Sequence, residues 1–440
     1  MKAINNFVSP DHPMFETSVR SFLPETIIVP FCQADGIEYQ CSMEKGDTVK
    51  EGQTIASPRG IISANGACIH SSVPGTITDI VQCTLPDGTL YYGAKIKTSG
   101  EFTYLGKKQK EAAWNIFSSA TLLEEFKSKG VINTFSGKPV SLATEIKNCS
   151  LKKYRFVVVR MFDEDPSRYT DSFIASRCTA KVIEGARIAA KAFEAEGIAF
   201  VIPKKADFTI NKDLLADNAY VIATADNSKY PSGNIRSLLR QIRKIAKIPE
   251  YENFSSVNHK CLFLDPETCL SLYETIVTGV PVVERYVHVT GTCLKSAGMF
   301  KVRIGTTIKD LAEQCGGFNE SPAKIVINGL IKGNEVSGLD IPVTQNVKSI
   351  EFLSSKELGV HRSTACIRCG HCRAICPEHL VPDLLYKMAL EKYILPKDIS
   401  ATAMICSECA LCNSVCPARL ALCQTISLLK NKKTTGEENA

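Results

Sequence analysis

The feature that most constrains this chain is a cysteine pattern that occurs twice near its C-terminal end. Cys366, Cys369, Cys372 and Cys376 are followed by Pro377, and Cys406, Cys409, Cys412 and Cys416 by Pro417, so both blocks read C-x2-C-x2-C-x3-C-P. Three thiolates two residues apart on a tight loop can wrap three corners of a compact metal-sulfur core. The fourth leads into a short helix and points away. Of 19 cysteines, these eight are clustered, ten are scattered singly over the first 315 residues, and Cys423 stands alone. The N-terminus, from Met1 to Asn6, lacks the basic region and apolar core of a secretory signal, which predicts a cytosolic protein. In that reducing compartment cysteines read as metal ligands or small buried hydrophobes, not disulfides.

In two-cluster ferredoxins the fourth cysteine of each such block ligates the other block's cluster. One 4Fe-4S cluster is therefore expected on Cys366, Cys369, Cys372 and Cys416, and a second on Cys406, Cys409, Cys412 and Cys376. A pair of zinc sites is the alternative, since C-x2-C is also zinc spacing, but it explains neither the third cysteine of each block nor the prolines. The insert from Glu378 to Ile405 carries Leu384, Leu385, Met388 and Leu390 at mixed helical spacing and predicts a helix or two. Cys423 reads as a core or surface thiol. His371 and His379 sit beside ligands in motifs that are complete without them.

A length of 440 residues is several times a typical domain of roughly 100–200 residues, so three or more units are expected. With 44% hydrophobic and 22% charged residues the composition is globular, which excludes disordered and fibrous classes. No run approaches the ~18 uncharged apolar residues of a membrane helix. The net charge of +6 is spread along the chain, and the one short basic run, at 430–433, makes no nucleic-acid footprint.

Short β-branched runs with Gly-Asp and Gly-Gln turns, at 27–30, 43–56 and 73–77, predict an all-β N-terminal unit. The string resembles the barrel-sandwich of biotinyl and lipoyl carrier domains. A carrier needs a lysine at its hairpin tip, and residues 57–70 hold Arg59 but no lysine. The unit is read as a docking domain, with His70 structural. From 120 to 280, helical stretches alternate with strand-like runs at 156–159, 199–202 and 220–223, which predicts an α/β unit with a largely parallel sheet. Residues 283–350 read as a small β-grasp fold with one short helix.

This order of units resembles the RnfC family of the Rnf electron-transport complex over nearly the whole chain. The likeness is carried by the paired cysteine motifs and, in the β-grasp piece, by Gly291, the turn from Val302 to Gly305, and Leu311. The resemblance implies a multidomain α+β protein. Its expected parts are a barrel-sandwich (1–105), an α/β domain like an NADH/FMN-binding domain (106–282), a soluble-ligand-binding β-grasp or SLBB domain (283–355), a double 4Fe-4S ferredoxin-type helical module (356–430) and a disordered tail (431–440).

The family's α/β domain is expected to bind FMN and accept hydride from NADH through a loop G-G-A-G-F-P-T, whose bare backbone lets amides approach phosphate. The corresponding stretch here, 130–140, keeps one of the loop's glycines. The acidic segment N-G-A-E-C-E-P corresponds to residues 160–166, which keep acidity but lose the small residues. A third element, N-V-G-T, corresponds to 264–268, whereas 229–233 stays close to K-Y-P-x-G. If flavin or NADH binds, the resemblance assigns it to Gly137, Lys138, Asp163, Glu164, Asp165, Lys229 and Tyr230. The other reading, which glycine loss favours, keeps the fold as a scaffold, leaves 163–165 as a solvated acidic turn, and brings electrons from another protein.

The function implied is that of a peripheral electron-transfer component at the cytoplasmic face of the cell membrane. It would relay electrons through two 4Fe-4S clusters, docked to integral membrane and ferredoxin-like subunits of an ion-translocating oxidoreductase, with no transmembrane helix of its own and no nucleic acid. One rival is a soluble flavin/iron-sulfur reductase of a corrinoid or quinone-like acceptor, against which stand the altered loop and the leading barrel-sandwich. The other is a zinc-stabilised interaction protein with no redox role.

Overall fold

The computed structural model describes residues 18–32, 37, 39–59, 66–100, 113–137, 139–149, 155–211, 215, 220–226, 230–358, 362–391 and 401–434. They fall into two compact units, one ending in the cysteine-rich region and the other holding nearly everything before it.

In the larger unit the first strands are β1 (Val19–Arg20), β2 (Thr26–Pro30), β3 (Tyr39–Cys41), β4 (Thr48–Val49), β5 (Thr54–Pro58), β6 (Ile69–His70), β7 (Gly75–Thr84) and β8 (Leu90–Thr98). Two antiparallel sheets form, ordered β2-β8-β7-β4 and β3-β5-β6. Alternation along the strands turns Ile27, Val29, Ile55, Ile77 and Ile96 inward to one shared core. That pattern is what makes a barrel-sandwich of short strands.

Next come α1 (Ser119–Ser128), β9 (Ile132–Asn133), β10 (Val140–Ser141), α2 (Leu142–Asn148), β11 (Phe156–Arg160), α3 (Thr170–Arg177), α4 (Thr179–Phe193), β12 (Gly197–Pro203), β13 (Tyr220–Ala225), α5 (Ile235–Ile245), β14 (Leu262–Leu264) and α6 (Pro266–Ile276). β11 to β14 make a sheet ordered β13-β12-β11-β14 in which every pairing is parallel. All five residues of β11 are buried. Val157 and Val159 face one core and Phe156 and Val158 the other, because helices cover both sides. The order reverses at β11, whose neighbours are β12 on one side and β14 on the other. The crevice outside the carboxyl ends of β11 and β14 is therefore the topological switch point, where open α/β sheets take ligands.

The β-grasp piece contains β15 (Glu284–Thr290), β16 (Gly298–Arg303), α7 (Ile308–Gln314), β17 (Lys324–Ile327), β18 (Asn334–Val336) and β19 (Ser349–Leu353). They form a sheet ordered β1-β16-β15-β19-β17-β18, to which β1 adds in parallel along β16. Thr307 and Asp310 form a reciprocal capping box that starts α7.

The cysteine-rich unit is helical: α8 (Ser355–Leu358), α9 (His371–Ile375), α10 (Pro382–Glu391), a 3-10 turn (Thr402–Ile405), α11 (Leu411–Ser414) and α12 (Leu422–Thr434). α12 continues through residues expected in a disordered tail; 435–440 lie outside the described residues. Of the four apolar residues noted in the insert, Leu385 is fully buried, whereas Leu390 is exposed. The unit repeats itself at a spacing of forty residues. Left-handed backbone occurs at Arg368 and Glu408, at Gly370 and Ala410, and at His379 and Arg419.

Candidate metal centre

The left-handed residues at Arg368, Gly370, Glu408 and Ala410 curl each C-x2-C-x2-C loop, and α9 and α11 start at once from those turns. The result is two cavities. One is lined by Cys366, Cys369, Cys372 and Cys416. The other is lined by Cys376, Cys406, Cys409 and Cys412. Each is thus ringed by three thiols of one block and the fourth thiol of the other.

Among the described residues no three His, Cys, Asp or Glu side chains converge where a single ion could be held. A cubane cluster asks for no such convergence, because each thiolate meets its own iron at a separate corner. Burial, and then the neighbouring thiols, push Cys412 up to about 12, and burial pushes Cys409 up as well. Four thiolates in so small a space repel one another unless a cationic core joins them, and a coordinating metal deprotonates such thiols outright. The donor set therefore fits an iron-sulfur core. Asp383 also lines the first cavity and Cys423 the second.

At the switch point of the α/β sheet the residues do not fit a flavin. Arg160, the last residue of β11, is fully buried and lies with its guanidinium 4.4 Å from the Phe135 ring centroid. It donates to the carbonyls of Phe162 (3.0 Å) and Gly233 (3.1 Å) and pairs with Asp171 at 3.5 Å. Lys348 enters from the residue before β19, and its Nζ donates to Asp171 (2.7 and 2.8 Å) and to Asp265 (2.6 Å). Thr134 Oγ1 donates to Asp265 at 2.9 Å, and Asp265 caps α6 through the Thr268 N–H. Burial works against the Asp265 carboxylate, but the charge and hydrogen bond of Lys348 outweigh it and hold the group far below the carboxylate range. In Asp171 burial wins and pushes the carboxyl up. The crevice is filled by this chain's own ion network.

The expected nucleotide contacts are likewise used elsewhere. A Cβ on Gly137 would meet nothing within 4 Å, so no close backbone cradle surrounds it. Gly130 has φ +82°, and a Cβ there would lie 2.7 Å from the Cys68 carbonyl oxygen, so this glycine serves packing against the barrel-sandwich. Lys138 and Lys229 lie outside the described residues, and Tyr230 is buried. The acidic turn is not solvated. Asp163 and Asp165 are buried, Asp163 accepting the N–H groups of Asp171 and Ser172 at the start of α3, and Asp165 accepting from Ser167 N and Oγ. Glu164 lies 3.7 Å from Arg160. Packing of α3 against the turn makes Asp163 a cap of that helix, while Asp165 closes a turn on Ser167. Sequence reading alone passes over Lys348, Asp171 and the structural role of Arg160, which no local pattern marks. The forty-residue repeat, by contrast, sets Asp383 opposite Cys423 in the sequence itself.

Together the four parts define a class: an electron-transport type of chain in which a barrel-sandwich, a parallel α/β domain and a β-grasp domain accompany a paired-cysteine unit. Residues 15–101 match the RnfC barrel sandwich hybrid domain, and residues 286–340 the SLBB domain. The C component of the proton-translocating ferredoxin:NAD(+) oxidoreductase complex of Clostridium ljungdahlii is 26% identical, over 90% of this chain and 88% of its own. The Na(+)-translocating counterpart of Acetobacterium woodii is 25% identical, over 82% and 80%. The corresponding component of the ion-translocating oxidoreductase complex of Klebsiella pneumoniae is 24% identical over 83% of this chain, which spans about half of that longer relative. The chain is thus similar to these C components over most of its length.

Proposed function

We propose that this chain is the electron-relay component of a membrane-associated, Rnf-type ion-translocating oxidoreductase. It carries one 4Fe-4S cluster on Cys366, Cys369, Cys372 and Cys416 and another on Cys376, Cys406, Cys409 and Cys412. Such clusters supply one-electron transfer. The observation that carries the reading is the exchange of the fourth thiol between the two cavities, which brings the clusters next to each other as an electron path. The relatives' names, with ferredoxin, NAD(+) and ion translocation in them, support the assignment to such a complex. Among the described residues no helix is long and apolar enough to cross a membrane. In this reading the chain docks from the cytoplasmic side onto integral membrane and ferredoxin-like subunits of such a complex, as the relatives' names support. With Arg160 and Lys348 filling the crevice at the switch point, electrons reach the clusters from a protein partner and not from NADH through a flavin bound here.

The test is an anaerobic count of iron, acid-labile sulfide and released flavin on the purified chain, with visible spectra before and after NADH. About eight irons and eight sulfides are expected, without flavin and without bleaching by NADH. Cys416→Ala removes about half the iron and spares the cluster on Cys406, Cys409 and Cys412. Zinc in place of iron overturns the relay, and tightly bound flavin with NADH bleaching overturns the route of electron entry.

A further inference from the structure

Five thiols surround the cavity of Cys376, Cys406, Cys409 and Cys412, where a cubane needs four; the fifth is Cys423. The internal repeat shows what it replaces. Moving back forty residues from Cys423 leads to Asp383, and from Asn413 to Arg373. Asp383 lines the other cavity, where Arg373 grips its two oxygens from Nε at 2.6 Å and Nη2 at 2.7 Å. In the second half the corresponding contact is a backbone one, the Cys423 N–H donating to Asn413 Oδ1 at 2.8 Å, which leaves the thiol turned to the cavity. Cys423 is buried and shares the lining of this cavity with Cys406.

A carboxylate already bound by arginine can only accept hydrogen bonds, whereas a thiol is a weak donor. A donor aimed at cluster sulfur stabilises the reduced, more negative state and raises the potential. We propose that Cys423 donates its S–H to a sulfur of the cluster held by Cys376, Cys406, Cys409 and Cys412, making it the more easily reduced of the two. The pseudo-symmetric unit is thereby given a direction, with electrons running downhill from the cavity of Asp383 to the cavity of Cys423. This rests on the cluster reading above.

The experiment is a potentiometric titration of the full chain followed by electron paramagnetic resonance, with iron counted in every sample. In Cys423→Ala the more positive midpoint moves to lower potential, the other stays, and the iron content is kept. Cys423→Ser, which retains a donor, holds its midpoint close to that of the unaltered chain. Asp383→Asn, which puts an amide donor beside the other cluster, raises the more negative midpoint. Full iron with an unmoved midpoint in Cys423→Ala overturns the inference alone, as does loss of half the iron in that variant, which makes Cys423 a ligand or a support. An unaltered chain without cluster signals overturns the cluster reading and this inference together.

Discussion

Lys348 Nζ lies 2.6 Å from Asp265 Oδ2 and at the same time bonds both carboxylate oxygens of Asp171. One cation from the β-grasp domain thus ties the cap of α6 to the first turn of α3, and all three residues are closed to solvent. Its nearest counterpart is Arg160, paired with the same Asp171. Lys348 and Arg160 face Asp171 and Asp265, with Glu164 also 3.7 Å from Arg160, inside a crevice where sheets of this topology otherwise admit ligands.

Removing the cation from such a set leaves buried anions uncompensated, which costs about 3–5 kcal/mol. Lys348→Met is expected to lower the unfolding free energy by that much. Adding Asp265→Asn to the same chain returns a large part of it, since one charge of each sign is then removed and Asp171 still compensates Arg160. Equal midpoints for Lys348→Met and the parent in urea unfolding would show that the network contributes nothing.

Gly185 sits in the middle of α4, where alanine is ordinarily better by about 1 kcal/mol. Here a Cβ would lie 1.8 Å from the Cys269 carbonyl oxygen of α6. The two helices must move apart to admit it, an overpacking cost of roughly 1–3 kcal/mol that outweighs the propensity gain. Gly185→Ala is therefore expected to lower the melting temperature, and a rise would mean that α4 and α6 yield freely.

What was legible in the sequence follows from the range of the physics involved. The apolar run ending at Arg160 marks a strand covered on both faces, and the cysteine blocks mark their loops, because both are written within a few residues. The network around Lys348 joins residues 83 and 177 positions apart, and nothing local at Lys348 separates it from a surface lysine. The acidic run at 163–165 reads as solvated for the same reason. Its burial comes from α3 folding back on it, a tertiary event that turns three apparent surface charges into a helix cap, a turn bond and an ion partner. The loss of the loop glycines was visible; that Arg160 and Phe135 fill the space was not.

His70 is buried beside Gly130, and burial, aided by the charge of Lys129, pulls its imidazole down to about 4 despite a hydrogen bond to the Ser128 backbone. The unfolded chain takes up that proton near 6.5, so between the two values it binds more protons than the folded one. Stability from this group is complete above about pH 6.5 and falls as the pH drops toward about 4, by roughly 3 kcal/mol in total. The fall should vanish in His70→Asn relative to the parent when denaturation midpoints are measured at about pH 7 and about pH 4.5. Parallel loss in both chains would assign the acid sensitivity to other groups.

Arg303, at the end of β16, connects the β-grasp sheet to the barrel-sandwich. Its Nη1 donates to Glu51 and, at 2.9 Å, to the Ser72 carbonyl, while its Nε pairs with Glu284 at 3.1 Å. Ser72 Oγ donates to the Ile304 carbonyl at 2.5 Å and the Ile28 N–H to that of Gly305 at 3.0 Å, so the two domains share a polar seam. Glu51 is nearly closed to solvent, and Glu51→Ala leaves one face of a mostly buried guanidinium unmatched, at about 1–3 kcal/mol. Because the seam joins domains, the expected effect is local first: faster proteolytic cleavage within residues 18–100, with the α/β domain protected as before. Unchanged cleavage there would mean that the Ile28 and Ser72 bonds to the Gly305 and Ile304 carbonyls hold the barrel-sandwich in place without the ion pair.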